Sequence, residues 1–337
     1  MKLLLILCCL FVAATAHAAD SGYHIIKRLK LGGDTGWDYL TVDGTARRLY
    51  VSRSTHVTVI DLTTDTILGD IPGTQGVHGI ALAPELNRGF TSNGKSDTST
   101  IFDLKTLKVV GEVKTGHNPD AIVYDPASRR VFTFNGRSHD ATVFEAATGK
   151  VVQTIPLGGK PEFATADGRG TVYVNIEDTS EVVAIDSLDA RKLRRFSLKP
   201  CEEPTGMGLD GDRGRVYSGC HNKVMTVLDT KSGKVIASVA IGGNVDGNSF
   251  DAGTGLAFSS NGDGTLTVVC ETSPGRFEVV ETVSTQPGAR TMALDPTTHV
   301  IYLPTAQFAP PKAPSQAGSK PRPEMIKDSF EILVIGK

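Results

Sequence analysis

A pattern of about forty residues recurs seven times in this 337-residue chain, and the recurrence restricts the fold more than any other feature. Seven segments open alike: GWDYLTVDGTARRLYVS, GVHGIALAPELNRGFTSN, NPDAIVYDPASRRVFTFN, KPEFATADGRGTVYVN, EPTGMGLDGDRGRVYSG, NVDGNSFDAGTGLAFSSN and GARTMALDPTTHVIYLP. Each holds a short apolar run, a turn rich in Asp, Pro and Gly, and a second run of alternating apolar residues. Most continue into a third run ending in Asp or Glu (VTVIDL, STIFDL, ATVFEA, EVVAID, MTVLD). After a turn such as TGK or SGK comes a fourth (KVVQTIPLGG, KVIASVAIGG). Short β-branched segments punctuated by Gly and Asp read as strands joined by tight turns. One marker per opening gives Asp38, His78, Asp120, Glu162, Thr205, Asp246 and Arg290, with successive differences of 40, 42, 42, 43, 41 and 44 residues. A period near 42 with four strands per unit predicts an all-β chain, a seven-bladed β-propeller of four-stranded blades.

The last unit bears on how such a ring closes. After VIYLPTA comes a Pro-rich excursion, spanning residues 307–328 and containing FAPPKAPSQAGSKPRP, and then SFEILVIGK. Blade seven therefore lacks an outer strand, and YHIIKRLKLGG, from Tyr23 to Gly33, is predicted to supply it. A strand latched there removes a sheet edge that would otherwise invite association. Composition agrees: 36 glycines, 17 prolines and 21% charged residues leave little material for a helical bundle or coiled coil. Lys plus Arg is 35 against 37 Asp plus Glu, so no basic excess exists to neutralise phosphates, and general nucleic-acid binding is not expected.

The first residues, MKLLLILCCLFVAATAHAAD, have the layout of a secretory signal peptide over residues 1–18: a positive start, an apolar run and a small-x-small site at Ala16-His17-Ala18. The run from Leu3 to Ala14 is shorter than the roughly 20 residues a membrane-crossing helix needs. The expected mature domain is residues 19–337, periplasmic or secreted, without a membrane span and monomeric. Three cysteines remain in that oxidising setting. Cys201 precedes the first strand of blade five and Cys220 ends the antiparallel second strand, so both emerge at one end. A Cys201–Cys220 disulfide is predicted, with Cys270 free and buried.

The strings Tyr-Val-Ser at 50–52, Phe-Thr-Ser-Asn at 90–93, Phe-Thr-Phe-Asn at 132–135 and Tyr-Val-Asn at 173–175 echo a YVTN signature, as do the T-G-K-V-V and G-G-x-P steps. The chain resembles the YVTN-repeat, YncE-like seven-bladed propellers over essentially everything after the leader. It departs from them in a shortened blade four and the long insertion of blade seven. The resemblance implies architecture much more than chemistry.

First strands of propeller blades line the central channel, so the markers are predicted to ring one mouth. Asp38, His78, Asp120, Glu162, Asp246 and Arg290 are the candidate ligand-binding residues, with Thr205 the seventh position. Carboxylates so close together need a cation, a proton or Arg290 to offset them. The ring reads as a ligand pocket or, equally, as a solvated rim. A divalent metal on His78, Asp120 and Glu162 is one option, although the short spacings typical of zinc sites are absent, and no other cofactor is indicated. The second-strand ends Asn93, Asn135, Asn175 and Asn261, with Cys220-His221-Asn222 in the equivalent place, read as turn residues. His117 and His221 fall in loops at the same end, and His24, His56 and His299 read as structural. Trp37 reads as packing, and the insertion as either a cover for the mouth or a passive loop.

Two functions follow from the residues, and a third, electron-transfer partnering with cofactor enzymes, rests on fold analogy alone. One is a non-catalytic binding or interaction scaffold for a small molecule or a periplasmic protein. The other, by analogy with propellers that open lactones or run lyase-type eliminations, is an enzyme. There His78 would be the base, Glu162 or Asp120 the acid or orienter, and Arg290 the carboxylate anchor.

Overall fold

The computed structural model describes residues 21–310 and 324–337; the expected leader and the middle of the insertion lie outside the described residues. Within them the chain is all-β, with one 3-10 turn at Pro84–Leu86 and no α-helix. The strands form six antiparallel sheets, five of four strands and one of seven. The seven-stranded sheet arises because the strand Thr66–Ala83 pairs through its first half with Ser54–Asp61 and through its second half with Arg88–Asn93. The first strands touch one another in cyclic order. Leu40–Asp43 meets the second half of Thr66–Ala83, then come Pro119–Asp125, Pro161–Ala166, Pro204–Asp210, Val245–Asp251 and Ala293–Asp295, which returns to Leu40–Asp43. The strand His24–Lys30 forms the edge of the sheet that also contains Glu331–Gly336, Val300–Thr305 and Ala293–Asp295. No helix among the described residues is long and apolar enough to cross a membrane.

The alternation in the second strands has a cause other than an inside and an outside. Arg130–Asn135 (RVFTFN) is buried on both faces after its first residue, because a neighbouring sheet packs on each side. Large apolar side chains fill one face, and Thr, Ser and Asn fill the tighter one. Phe90 meets Phe144 of the next sheet at 5.8 Å, and Tyr50 meets Phe102 at 6.0 Å. Outer strands such as Val109–Lys114 are mostly exposed, which explains their Lys and Glu.

Aspartates at the ends of first strands build the turns and then join the sheets. Asp125 accepts from Ser128 N at 2.9 Å, Asp251 from Gly253 N at 3.0 Å and Asp295 from Thr297 N at 3.0 Å. Such Asx geometry is what makes Asp a turn former. Each also reaches the following sheet: Asp125 accepts from Ser187 Oγ at 2.6 Å, Asp251 from His299 Nδ1 at 2.8 Å, and Asp295 from Arg47. His299 is thus a structural partner.

The asparagines do something other than bond nearby turn backbone. Asn93 Nδ2 donates to Thr98 and Thr100 at 3.2 and 2.9 Å, and Asn261 Nδ2 to Thr265 and Thr267, both at 3.0 Å. Asn135 donates to Asp140 and Thr142 in the same way. These buried amides clamp their own hairpins through side chains. Asn175 departs from them and donates to the carbonyls of Thr205 and Gly206 in the next sheet.

A disulfide joins Cys201 and Cys220, with Cα atoms 5.6 Å apart. Cys270 is free, but it is half-buried rather than buried. It sits on Thr265–Ser273 at the last pair with Leu256–Asn261, beyond which only Arg276–Ser284 continues alongside.

Candidate functional site

Strand entry sets the site. Each marker residue immediately precedes or begins a first strand, where the chain arrives from the outer strand of the preceding unit and turns down the channel. Asp38, His78 and Asp120 come together, with one donor atom of each lying within 4.8 Å of the others. His78 Nδ1 donates to Asp38 Oδ2 at 2.6 Å and stands 3.8 Å from Asp120 Oδ1. Asp38 is itself held from behind, its N–H donating to Ser52 Oγ at 2.8 Å and its carbonyl accepting from Thr291 Oγ1 at 2.8 Å. Gly94 makes room for the imidazole, since a Cβ there would lie 2.7 Å from His78 Nε2. Asp120 Oδ1 is buried and accepts no hydrogen bond of normal geometry.

The remaining carboxylates have their own counter-ions. Glu162 Oε1 lies 2.6 Å from Lys160 Nζ, and Lys160 also binds Glu177. Asp246 Oδ2 lies 3.2 Å from Arg290 Nε. Lys160 escaped the sequence reading, although it stands two residues before Glu162 in the G-G-x-P step and its role follows from that spacing. Thr205 does not face the mouth: it is buried, with its hydroxyl donating to Val245 O at 3.0 Å, so it ties two first strands together. Glu162 contributes no atom to the compact donor set, whose third member is Asp38. Two loop histidines pair at the rim, His117 with Asp97 at 2.8 Å and His221 with Glu203 at 2.7 Å.

Beneath the ring, Tyr39 and Phe163 meet edge to face with centroids 5.2 Å apart. Their strands are not neighbours in the cyclic order, so the contact spans the channel. Trp37 takes a packing role, 5.1 Å from Phe330 and 6.1 Å from Phe308. Phe308 begins the insertion, whose ends pair with each other through Ala309 N to Glu324 O and Ile326 N to Gln307 O, both at 2.8 Å.

Burial and crowding move protons in this cluster. Burial alone would depress His78, but the hydrogen bond to Asp38 and the charges of Asp120, Asp38 and Glu162 outweigh it, raising the imidazole to about 9. Burial pushes Asp120 up to about 6 against the pull of His78. Burial and then the Asp120 charge push Glu162 up to about 8, and burial lifts Asp246 to about 7 despite Arg290. A His78 that holds its proton at neutral pH is suited to donating a proton or charge; it does not suit the general-base role that the enzyme analogy gives it.

All four shifts are upward, so the folded state binds more protons than the unfolded chain through the neutral range. Their stabilising contribution is complete below the unfolded values, near 4 for the carboxyls, and drains away as pH rises through the folded ones, from about 6 to about 9. Metal-free protein is therefore expected to melt roughly 5 °C lower at pH 9 than at pH 5, from a loss on the order of 2 kcal/mol. Melting curves in a chelating buffer check this, and a Tm that climbs over the same interval contradicts it.

The donor set suits a divalent cation. One nitrogen and two carboxylate oxygens are gathered here, a donor mix that a divalent cation accepts once it displaces the proton His78 shares with Asp38. The unsatisfied Asp120 Oδ1 is the atom such an ion would satisfy.

No protein-family model matches the chain, and no curated protein matches it. Among solved structures, it is similar to a chain of hydrazine synthase from Kuenenia stuttgartiensis. There the TM-score is 0.67 at 17% identity, over 80% of this chain and 92% of the other. It is also similar to U3-55K, with a TM-score of 0.75 at 10% identity, over 91% of this chain and 97% of the other. Identities this low bear on fold alone. With the antiparallel sheets and the cyclic contact of their first strands, they make the fold a β-propeller.

Proposed function

We propose that this chain is an exported, seven-bladed propeller of YncE-like type. In this reading it is a binding protein that holds a small ligand at the polar mouth of its ring. Counting Thr66–Ala83 as two strands turns the seven-stranded sheet into two blades, and His24–Lys30 serves as the outer strand of the seventh. The leader-like residues 1–18 and the Cys201–Cys220 disulfide support an oxidising destination.

The observation that carries the binding reading is Asp120 Oδ1, a buried carboxylate oxygen without a hydrogen bond, beside His78 and within reach of Asp38. Leaving such an atom unsatisfied is costly, and a bound cation relieves that cost. The mouth is also rich in carboxylates: Asp38 and Asp120 stand by His78, Glu162 and Glu177 by Lys160, and Asp246 by Arg290. A divalent ion held by Asp38, His78 and Asp120 is accordingly the core of the proposed site.

The test is a melting scan of chelator-stripped protein against Zn2+, Mn2+ and Ca2+. At least one ion is expected to raise Tm by about 5 °C when present at a hundredfold excess over its Kd. Asp120→Asn, which keeps shape and removes charge, is expected to erase most of that rise. Flat melts with every ion, or an undiminished rise in the variant, would remove the cation from the proposal.

A further inference from the structure

A cavity of about 760 Å3 opens beside the cation corner, lined by His221, Asp246, Arg290, Pro287, Gly288 and Phe308 among others. Its size is that of a small-molecule site. One end is cationic. Arg290 Nε lies 3.2 Å from Asp246 Oδ2, an ion pair on the Nε side of the guanidinium. Its two terminal nitrogens donate no hydrogen bond to any described residue, and the side chain is 53% exposed. A guanidinium anchored at Nε presents its free fork in the geometry that matches a carboxylate. The other wall is apolar. Phe308 lies against the backbone of Gly288, where a Cβ would stand 3.0 Å from the ring, yet 38% of Phe308 remains exposed beside Pro287. An exposed aromatic facing a half-exposed, only partly offset guanidinium across one cavity is an unusual use of surface unless something fills it.

We propose that this cavity binds a small aromatic monocarboxylate, its carboxylate on the free fork of Arg290 and its ring against Phe308 and Pro287. A single negative charge is favoured because Asp246 already offsets part of Arg290, and a dianion would meet repulsion from the carboxylates around the mouth. The proposal rests on the reading of the mouth as a ligand site and does not require the cation. Ala309 and Pro310 extend the wall, which gives the start of the insertion a part in the site.

The chain has one tryptophan, Trp37, whose ring lies 6.1 Å from that of Phe308, so its fluorescence reports on the cavity. The mature protein, in chelating buffer, is titrated with phenylacetate, phenylacetamide and acetate. Phenylacetate is expected to give a saturable change. Phenylacetamide is expected to bind at least about tenfold more weakly, as charge-assisted hydrogen bonds require. Acetate is expected to give no response at these concentrations. Arg290→Gln is expected to weaken phenylacetate roughly tenfold or more, Arg290→Lys less because it keeps charge without the fork, and Phe308→Ala substantially. Equal binding of acid and amide overturns the proposal, as does undiminished binding in a normally melting Arg290→Gln protein. So does the absence of any saturable response at millimolar phenylacetate. Because chelator is present throughout, failure of the cation reading leaves this titration unaffected, and a failed titration leaves the metal-dependent melt as it was.

Discussion

Deleting residues 22–31 is expected to leave a chain that no longer unfolds in one cooperative step and is recovered mostly as aggregate. The strand His24–Lys30 pairs with Glu331–Gly336 along its whole length, from His24 opposite Gly336 to Lys30 opposite Glu331. Tyr23 is almost fully buried, 5.0 Å from Phe258 in the neighbouring sheet, with its hydroxyl donating to His299 O at 3.0 Å. Leu29 is buried as well. Losing two large buried side chains at about 2 kcal/mol each and several ladder bonds at about 1 kcal/mol each removes on the order of 8 kcal/mol. That is comparable with the entire stability of an ordinary domain, about 5–15 kcal/mol. The deletion would also bare Glu331–Gly336, a wholly buried strand with four aliphatic residues, three of them β-branched, as a new edge. Urea unfolding with size-exclusion chromatography reads the outcome. A soluble, monomeric truncated chain within about 1 kcal/mol of full length would show that the strand is dispensable.

Removing the disulfide should have the next largest effect. Cys201 and Cys220 are both buried and are 19 residues apart, a loop whose closure is worth about 3 kcal/mol in the chain-entropy account. The double substitution Cys201→Ala, Cys220→Ala avoids leaving buried thiols and is expected to lower Tm by roughly 6–9 °C. Calorimetry of oxidised protein beside the variant checks it, and coincident melts would mean that the bond constrains nothing the fold does not already constrain.

How far the sequence could be read depended on distance along the chain. Everything set by the repeat was legible: the strands, the marker positions and the meeting of Cys201 with Cys220, because a strand and its hairpin partner are near in sequence. Side-chain partners were harder to read, whether they lie in the next sheet or in the same hairpin. Thr205 has the same place in its repeat as Asp38 or Asp246, yet it turns toward Val245, because the neighbouring sheet offers an acceptor there. The partners of Asn93 and Asn261 were within reach, since Thr residues recur at alternate positions of the following strand, but the turn preference of Asn masked them. Lys160 lies outside the marker column of the repeat, and nothing in the repeat requires a counter-ion to occupy that column. The enzyme analogy gives His78 the role of a base. Its two flanking carboxylates, each about forty residues away, are what hold the proton on it.

The contact of Tyr39 with Phe163 has a mechanical consequence. A ring of sheets joined only to their neighbours resists stretching but can ovalise, as any hoop can when squeezed across its diameter. These two aromatic side chains act as a strut between opposed parts of the hoop. They follow Asp38 and Glu162 directly in the chain, so the strut fixes how far apart the carboxylates on the two sides stand before any ligand arrives. The cross-brace thus lies at the level of those carboxylates and not among the outer strands.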